Sequence, residues 1–487
     1  MGFKADLSFL QKLTMGATAT RAAVAFLEGL GFAPIELERY STSNKIWSTK
    51  VKRLRLADLL CVRTGLRVEI RAKSDLQIKM SDSPTNLERR WDSGLRDEDL
   101  IGLVSCYGGA AVHVRAAPVF IAVRDLRATV HLAKVGQRKS ASEGAERDIT
   151  WPSIVPSGNG EVVEVTAERI RVRMDPGRFQ SYKLKGKTPL VKVGDRFTGE
   201  ASFLAGAVSR IINPTLMLSR RWSPVDDLRS DVATDRYAAA KALASGKADA
   251  PVNVVTLLAN ALECETEPRT ALEIAGALAR LGEDAGFEYL ASSINREGDK
   301  SPGYLRMEAI LILSEIPDAR SATALDKVAG DRALKGDELR QAAVWGLGRF
   351  GIQHYSSVAT YIADEEDDVA LHAIAALGPD TDKTVIEVLA DMLVQHSSSR
   401  TKAAASEALR IIGSLHVAEA LIFRVNSGSP WVPATLGRLP MQVLANAKIP
   451  ASLAQMIEPI RLLSSPSNWL AARNTVTDFQ FLLQQDL

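Results

Sequence analysis

The chain predicts a multidomain protein: a mixed α/β front, a small all-β module, and an all-α, repetitive C-terminal half. Three observations predict this. Leu54 to Met80 holds two apolar strands around a turn. Residues 151 to about 212 hold short alternating runs separated by Gly-, Asn- and Pro-bearing turns. From about Val225 onward, Ala-rich segments with Leu or Ile at helical spacing recur, and most close on Gly or Pro. The expected boundaries are 1–135, a linker at 136–150, 151–222, and 225–487. With 487 residues, core size does not limit any of these parts.

In the front part, Gly16 to Phe32 reads as an amphipathic helix ending in Gly31, and Pro34 to Tyr40 as a strand. The next strand carries Leu54, Leu56, Leu59, Leu60 and Val62 and turns at Thr64-Gly65. Its partner alternates, with Leu66, Val68, Ile70 and Ala72 on one face and Arg67, Glu69, Arg71 and Lys73 on the other. Pairing about Thr64-Gly65 sets opposite each other residues whose numbers sum to about 129, so Asp58 falls near Arg71 with Glu69 one step away. Asp58 is a carboxylate in an apolar run, where desolvation demands a cation, a metal or a donor. Two readings follow from the residues: a carboxylate pair holding a divalent metal beside cations for a phosphate, or an Asp58–Arg71 pair with a solvated charged face. Asp97 to Tyr107 reads as a helix, Pro118 to Val123 as a buried strand, and Val130 to Lys134 as a further strand. Gly136 to Asp148 reads as a mobile linker.

Helix, strand, strand, strand, helix, strand, with an acidic pair on the middle strands, resembles the restriction-endonuclease-like PD-(D/E)XK nuclease superfamily over about residues 14 to 130. The resemblance implies a metal-dependent nuclease. In it Asp58 takes the place of the first acid and Glu69 of the second, together holding Mg²⁺ or Mn²⁺. Arg71 stands where the motif has lysine. Arg stabilises a phosphate but accepts no proton, its pKa being above about 12. Lys73, two residues on and on the same face, is the substitute. Many relatives carry a glutamate early in the first helix. Here Thr18 and Thr20 occupy that region, and Glu28, Glu36 and Glu38 are the nearest carboxylates.

The formal charge of +2 divides into +13 over residues 1–222 and −11 over the remainder. A basic front suits a polyanion, DNA or RNA, through phosphate contact and counterion release. Two segments interleave cations with an aromatic: Ser41 to Arg55, with Lys45, Trp47, Lys50, Lys52, Arg53 and Arg55, and Asp82 to Leu95, with Arg89 and Arg90 beside Trp91. The alternative reading of either Trp is a packing plug. Cys61, Cys106 and Cys264 are spaced for neither a disulfide framework nor a zinc site. With no apolar run of membrane-spanning length and no signal-peptide pattern, the expectation is a cytoplasmic protein with no membrane role.

In the all-β part, Val162 to Val165, Arg169 to Arg173 and Gln180 to Leu184 read as strands, with turns at Gly158 to Gly160, Asp175 to Gly177 and Gly194-Asp195. The pattern resembles small barrel-sandwich hybrid modules, such as a segment of the bacterial RNA polymerase β subunit. Its Lys and Arg make it a second nucleic-acid contact or a spacer. In the helical half, the closing positions Gly282, Pro317, Gly351, Gly378 and Gly413 lie 35, 34, 27 and 35 residues apart. This resembles HEAT and related α-solenoids, which implies a surface for a protein partner or for the basic front. Asp364 to Asp368 concentrates acid in one loop, Asn426 to Arg438 reads as an irregular interruption, and Ile449 to Leu487 as capping helices. The functional expectation is a Mg²⁺-dependent DNA nuclease with a regulatory or partner-binding HEAT region, in genome defence or repair. The alternative is an inactive nucleic-acid-binding adaptor. No GxxxxGK[ST] occurs, so any NTP-driven step belongs to another subunit.

Overall fold

The computed structural model describes residues 7–37, 54, 56–108, 112–138, 146–295, 303–334, 338–455 and 457. They form two compact units, one from Gln11 to Ala277 and the other from Leu278 onward. The N-terminal region is mixed α/β and sheet-rich, and the C-terminal region is a helical, solenoid-like array.

The first unit starts with α1 (Leu7–Gly29) and the strands β1 (Pro34–Glu36), β2 (Leu59–Cys61), β3 (Leu66–Lys73), β4 (Ile78–Asp82), β5 (Leu100–Tyr107), β6 (His113–Val114) and β7 (Val119–Ala122). The central sheet has the order β1-β2-β3-β5-β6, with β7 also on β5. β1, β2 and β3 are antiparallel, and β3 and β5 run parallel. On one face, Ala19, Ala23 and Leu27 of α1 meet Leu59, Cys61, Leu66, Val68 and Val104. Alanines let the helix approach the pleat closely.

Several expectations are corrected here. Asp97 to Tyr107 is not a helix: from Leu100 it is the parallel strand β5, buried at every position but Tyr107. A strand covered on both faces loses the alternation that would distinguish it. The crossover from β3 to β5 holds β4 and a single 3-10 turn, Leu87–Arg89, rather than a long helix. The β2–β3 turn is wider than Thr64-Gly65. The Cys61 carbonyl accepts from both Thr64 N (3.1 Å) and Gly65 N (2.9 Å), so residues 62–65 make the loop, with Gly65 at φ +64°. Val130 to Leu132 is a 3-10 turn after α2 (Val123–Ala128), not a strand. The segment placed as a linker ends in structure: after β8 (Lys134–Val135), β9 (Arg147–Trp151) pairs β4 along its whole length. Trp151 is fully buried against Trp91, their ring centroids 5.1 Å apart, among Ile78, Met80, Ile101, Leu103 and Ile121. Residue 151 therefore belongs to the front core.

The small β module follows as β10 (Ser153–Ile154), β11 (Gly160–Val165), β12 (Arg169–Met174), β13 (Phe179–Lys183), β14 (Thr188–Pro189), β15 (Arg196–Phe197) and β16 (Ala205–Gly206). It has two sheets, β13-β12-β11-β15 and β10-β16-β14. Val162, Ile170, Val172, Phe197 and Leu204 fill the space they enclose. Next come α3 (Pro224–Asp227) and α4 (Ala233–Leu243). α4 does not start a separate solenoid: Tyr237, Ala238 and Ala242 pack on Leu56, Leu60 and Val62 of the front part. With α5 (Val254–Cys264) it lies within the first unit.

The remaining helices are α6 (Pro268–Arg280), α7 (Asp284–Asn295), α8 (Gly303–Leu313), α9 (Ala319–Gly330), α10 (Glu338–Arg349), α11 (Tyr355–Thr360), α12 (Asp367–Ala376), α13 (Lys383–Gln395), α14 (Ser399–Ile412), α15 (Leu415–Phe423), α16 (Trp431–Gly437) and α17 (Met441–Asn446). α8, α10, α12, α14 and α16 contact one another in series, and α11, α13 and α15 form a second row. Neighbours within the first row approach closely enough that a Cβ at Gly348 of α10 would lie 2.4 Å from the Ala376 Cβ of α12. Asn426 to Arg438 is no simple interruption, since most of it is α16. The expected capping helices of the tail fall largely outside the described residues. Arginines tie successive helix pairs: Arg280 to Glu315, Arg320 to Asp284 (2.5 Å), Arg400 to Asp367 (2.5 Å), Arg424 to Asp391 (2.8 Å) and Arg438 to Glu407 (2.5 Å). Among the described residues, no helix is long and apolar enough to cross a membrane.

Candidate functional site

Asp58 immediately precedes β2, and Glu69 lies on its neighbour β3. The observed register sets Leu59 against Val68 and Leu60 against Arg67, so paired residue numbers sum to 127 rather than 129. One further step sets Asp58 against Glu69, and Arg71 is two positions beyond. The four-residue loop causes this shift. It corrects the expected Asp58–Arg71 apposition. Each carboxyl residue is 8% exposed. Asp58 Oδ2 accepts the Ile70 backbone N–H at 2.6 Å, which aims the carboxylate across the strand pair. Glu69 Oε1 lies 2.6 Å from Arg71, whose side chain is 45% exposed.

Lys73 ends β3 on the same face. Its Nζ donates to the Lys79 carbonyl at 2.5 Å. Burial, with the neighbouring charges of Arg71 and Lys79, lowers its pKa to about 8, against the opposing pull of Asp148.

The charged face of β3 is not simply solvated. Arg67 is 1% exposed and meets Asp235 of α4 at 2.5 Å. Buried Asp99, just before β5, is held by the Arg96 N–H at 2.7 Å and by its Nε at 3.3 Å. Burial still raises its pKa, more than Arg96 and Arg67 lower it. Sequence reading missed Asp99 and Asp235 as partners of this face. The available signal was Arg67 itself, a cation inside an otherwise buried strand.

Other expected site residues divide. Lys45, Trp47, Lys50, Lys52, Arg53 and Arg55 lie outside the described residues. Arg89 pairs Glu146 at 2.7 Å, and Arg90, half-exposed, lies 3.7 Å from Asp92. Trp91 between them is a packing plug, 6% exposed. Glu28 pairs Lys247 at 3.1 Å, and Glu36 is in register with Leu59, which turns it toward the α1 face and away from Asp58 and Glu69. Among the described residues no group of three or more His, Cys, Asp or Glu side chains is placed to hold a metal ion. Asp58 and Glu69 therefore supply two hard oxygen donors. That chemistry fits Mg²⁺ or Mn²⁺, which keep several waters and take few protein ligands. Cys61 and Cys106 are buried, and burial pushes the Cys61 thiol up to about 12, as expected of inert core thiols.

No protein-family model matches this chain, and no curated protein matches it. Among solved structures, the complex of CpcE and CpcF of phycocyanin lyase from Nostoc sp. PCC7120 is 20% identical, with a TM-score of 0.26, covering 55% of this chain and 96% of that one. Human deoxyhypusine hydroxylase is 15% identical (TM-score 0.21), covering 48% of this chain and 83% of the enzyme. A designed armadillo repeat protein in complex with a peptide is 16% identical (TM-score 0.23), covering 41% and 99%.

Proposed function

We propose that this protein is a metal-dependent nuclease of the PD-(D/E)XK kind, hydrolysing phosphodiester bonds of DNA. Its HEAT-like helical array would bind a partner or regulate cutting. The observation that supports this is the β2–β3 register, which, carried one residue beyond Leu59 and Val68, sets Asp58 against Glu69, with Arg71 and Lys73 following on β3. Asp58 and Glu69 are the residues that would hold Mg²⁺ or Mn²⁺. When bound, such an ion supplies an acidified water and a Lewis acid for the phosphoryl oxygens. The Ile70 N–H orients Asp58. Arg71, half-exposed and paired with Glu69, presents a fork of donors suited to a phosphate. Lys73, with its lowered pKa, holds charge on the phosphate when protonated and accepts a proton when neutral. A cytoplasmic location and a role in genome defence or repair belong to the same proposal.

The Arg71–Glu69 pair favours a second reading. A guanidinium on Glu69 Oε1 competes with a cation for that oxygen. On this reading the front part docks nucleic acid without cutting it, and the helical array makes the protein an adaptor.

The test is cleavage of plasmid and single-stranded DNA with Mg²⁺ or Mn²⁺, comparing wild type with folded, DNA-binding Asp58→Ala and Glu69→Ala variants. Cutting by wild type and its loss in both variants is the expected result. Binding without cutting under all conditions replaces the nuclease with the adaptor. Cutting that survives both substitutions moves the active site elsewhere.

A further inference from the structure

The outer face of the β13-β12-β11-β15 sheet is unlike the rest of the small β module. Alternation on β12 buries Ile170 and Val172 and turns Arg169, Arg171 and Arg173 outward. On β13 the register sets Phe179 against Arg173, Ser181 against Arg171 and Lys183 against Arg169. The face is therefore a grid of three arginines and a lysine with one aromatic ring. Phe179 is 53% exposed, whereas Val162, Ile170, Val172 and Phe197 on these strands are buried in the module core.

The arginines are not equivalent. Arg169 meets Glu164 at 3.2 Å, and Arg173 meets Glu161 at 2.9 Å. Among the described residues, Arg171 meets no carboxylate. Its guanidinium sits 4.8 Å from the Phe179 ring centroid. Glu164 is the cross-strand neighbour of Arg171 but is paired with Arg169, so the Arg171 cation braces a ring that stays more than half exposed.

The same strand leads into a second basic feature. After Lys183 the chain turns at Lys185 (φ +47°) and Gly186 (φ +79°), two consecutive left-handed residues. That is the pattern of a type I′ turn, where Asn, Asp or Gly sits at the first position with least strain. A lysine there is held against its backbone preference. Lys185 and Lys187 line a cleft of about 860 Å³ with Lys134, Thr150, Pro152 and Asp75. The loop carrying Asp75 follows directly on Lys73 of β3.

We propose that this sheet face binds single-stranded nucleic acid, a base stacking on Phe179 and the phosphates lying on Arg171, Lys183 and Lys185. The inference rests on the reading of the protein as acting on nucleic acid, and assigns it a strand-binding platform separate from the Asp58–Glu69 pair. A basic sheet with an exposed aromatic is the chemistry of such platforms, because every base offers a π-face and every linkage a charge. An acidic peptide would use the cations but not the ring.

The experiment is fluorescence anisotropy of labelled oligo-dT and oligo-rU with the full chain in EDTA, over a salt series, with circular dichroism of every variant. Arg171→Ala/Lys183→Ala is expected to weaken binding about tenfold and to flatten the slope of log K against log salt by about 1.4, at about 0.7 per phosphate contact on a single strand. Phe179→Ala is expected to weaken binding about tenfold with the slope unchanged, and Phe179→Tyr to restore it. The inference is overturned if all variants bind as wild type. It is equally overturned if only the charge variant matters and poly-L-glutamate competes as well as the oligonucleotide. EDTA removes cutting from the measurement, so its result is independent of the fate of Asp58 and Glu69. Wild type that cuts DNA but whose platform variants bind oligonucleotide as it does defeats this inference alone, and platform-dependent binding without cutting defeats only the nuclease.

Discussion

Arg67 shows how a single side chain can join distant parts of the chain. It stands on β3 among apolar neighbours, is 1% exposed, and meets Asp235 far along the sequence. Removing one partner of a buried ion pair leaves a charge without compensation. Asp235→Ala is expected to lower stability by about 3 kcal/mol, and adding Arg67→Met to return most of it. Urea unfolding of the two single variants and the double variant measures this, and additive losses would contradict the pairing. Lys73 carries a pH signature. Its pKa falls from 10.5 to about 8 on folding, so between these values the unfolded chain binds more protons and stability rises with pH. On the proposed function, nucleic-acid affinity falls as pH rises through about 8 and Lys73 loses its charge, and Lys73→Arg flattens that fall. Binding titrations across this range that superimpose for both proteins would exclude Lys73 as a phosphate contact. His372 acts in the opposite pH range. Burial lowers its pKa from 6.5 to about 4, while its Nδ1 stays 2.6 Å from the Asp368 carbonyl oxygen. The unfolded chain therefore takes up the proton first. Stability of the helical unit falls as pH drops from 6.5 toward 4, by about 3 kcal/mol in all. His372→Gln is expected to remove that part of the pH dependence in denaturant unfolding near neutral and near acid pH.

At the scale of elements, strands and helices are legible where residue type keeps a period. β3 alternates in residue type although both of its faces are covered from Leu66 to Ile70. The helices at 268–280, 303–313 and 338–349 follow the Ala/Leu spacing of the sequence within a few residues. β5 was not legible, because it is buried between α1 on one side and the Trp91–Trp151 layer on the other. A run apolar at every position has no period to read. The acidic loop at 364–368 illustrates a further limit. Read as a solvated helix start or docking site, it is largely committed within its own unit. Arg340, fully buried, binds Asp364 at 2.5 Å and also Glu366, and donates to the Ala329 carbonyl at 2.9 Å. Burial pushes the Asp364 carboxyl up, and the Arg340 hydrogen bond and charge bring it below its ordinary value. Arg340→Met is expected to destabilise the helical unit by about 3–5 kcal/mol, since the buried Asp364 carboxylate loses its buried cation and keeps the exposed Arg332 and the Glu366 N–H. Thermal unfolding checks it, and a loss below about 1 kcal/mol, the worth of a surface pair, would show the cluster to be wet.

For the whole molecule, the functional boundary falls later than the change from β to α suggests. α4 covers Leu56, Leu60 and Val62 and supplies the Asp235 partner of Arg67. A chain ending at Trp222 is expected to expose that apolar surface and to aggregate or unfold, whereas one ending at Ala277 retains the compact unit. Size-exclusion chromatography and amide exchange of the two truncations test this. Equal solubility and protection would mean that α4 is dispensable to the front core. The charge division, +13 over residues 1–222 and −11 beyond, is likewise less free than a count implies. Much of the acid in the helical unit is tied to arginines of neighbouring helix pairs, so salt-dependent association there should be weaker than its net charge alone implies.

By itself the sequence determined the helical array, the strands of the small β module, the β2–β3 hairpin and the identity of Asp58 and Glu69 as its carboxylates. Those features depend on local periodicity and turn chemistry, which act over a few residues. Only the tertiary structure decided the hairpin register, the strand nature of β5, the return of β9 to the front core, and the burial of Arg67 under α4. Each of these is settled by which surface meets which. A one-position change in a turn moves every cross-strand partner by two in summed number, and a covering helix brought from far along the chain converts a solvent-facing cation into a buried ion pair.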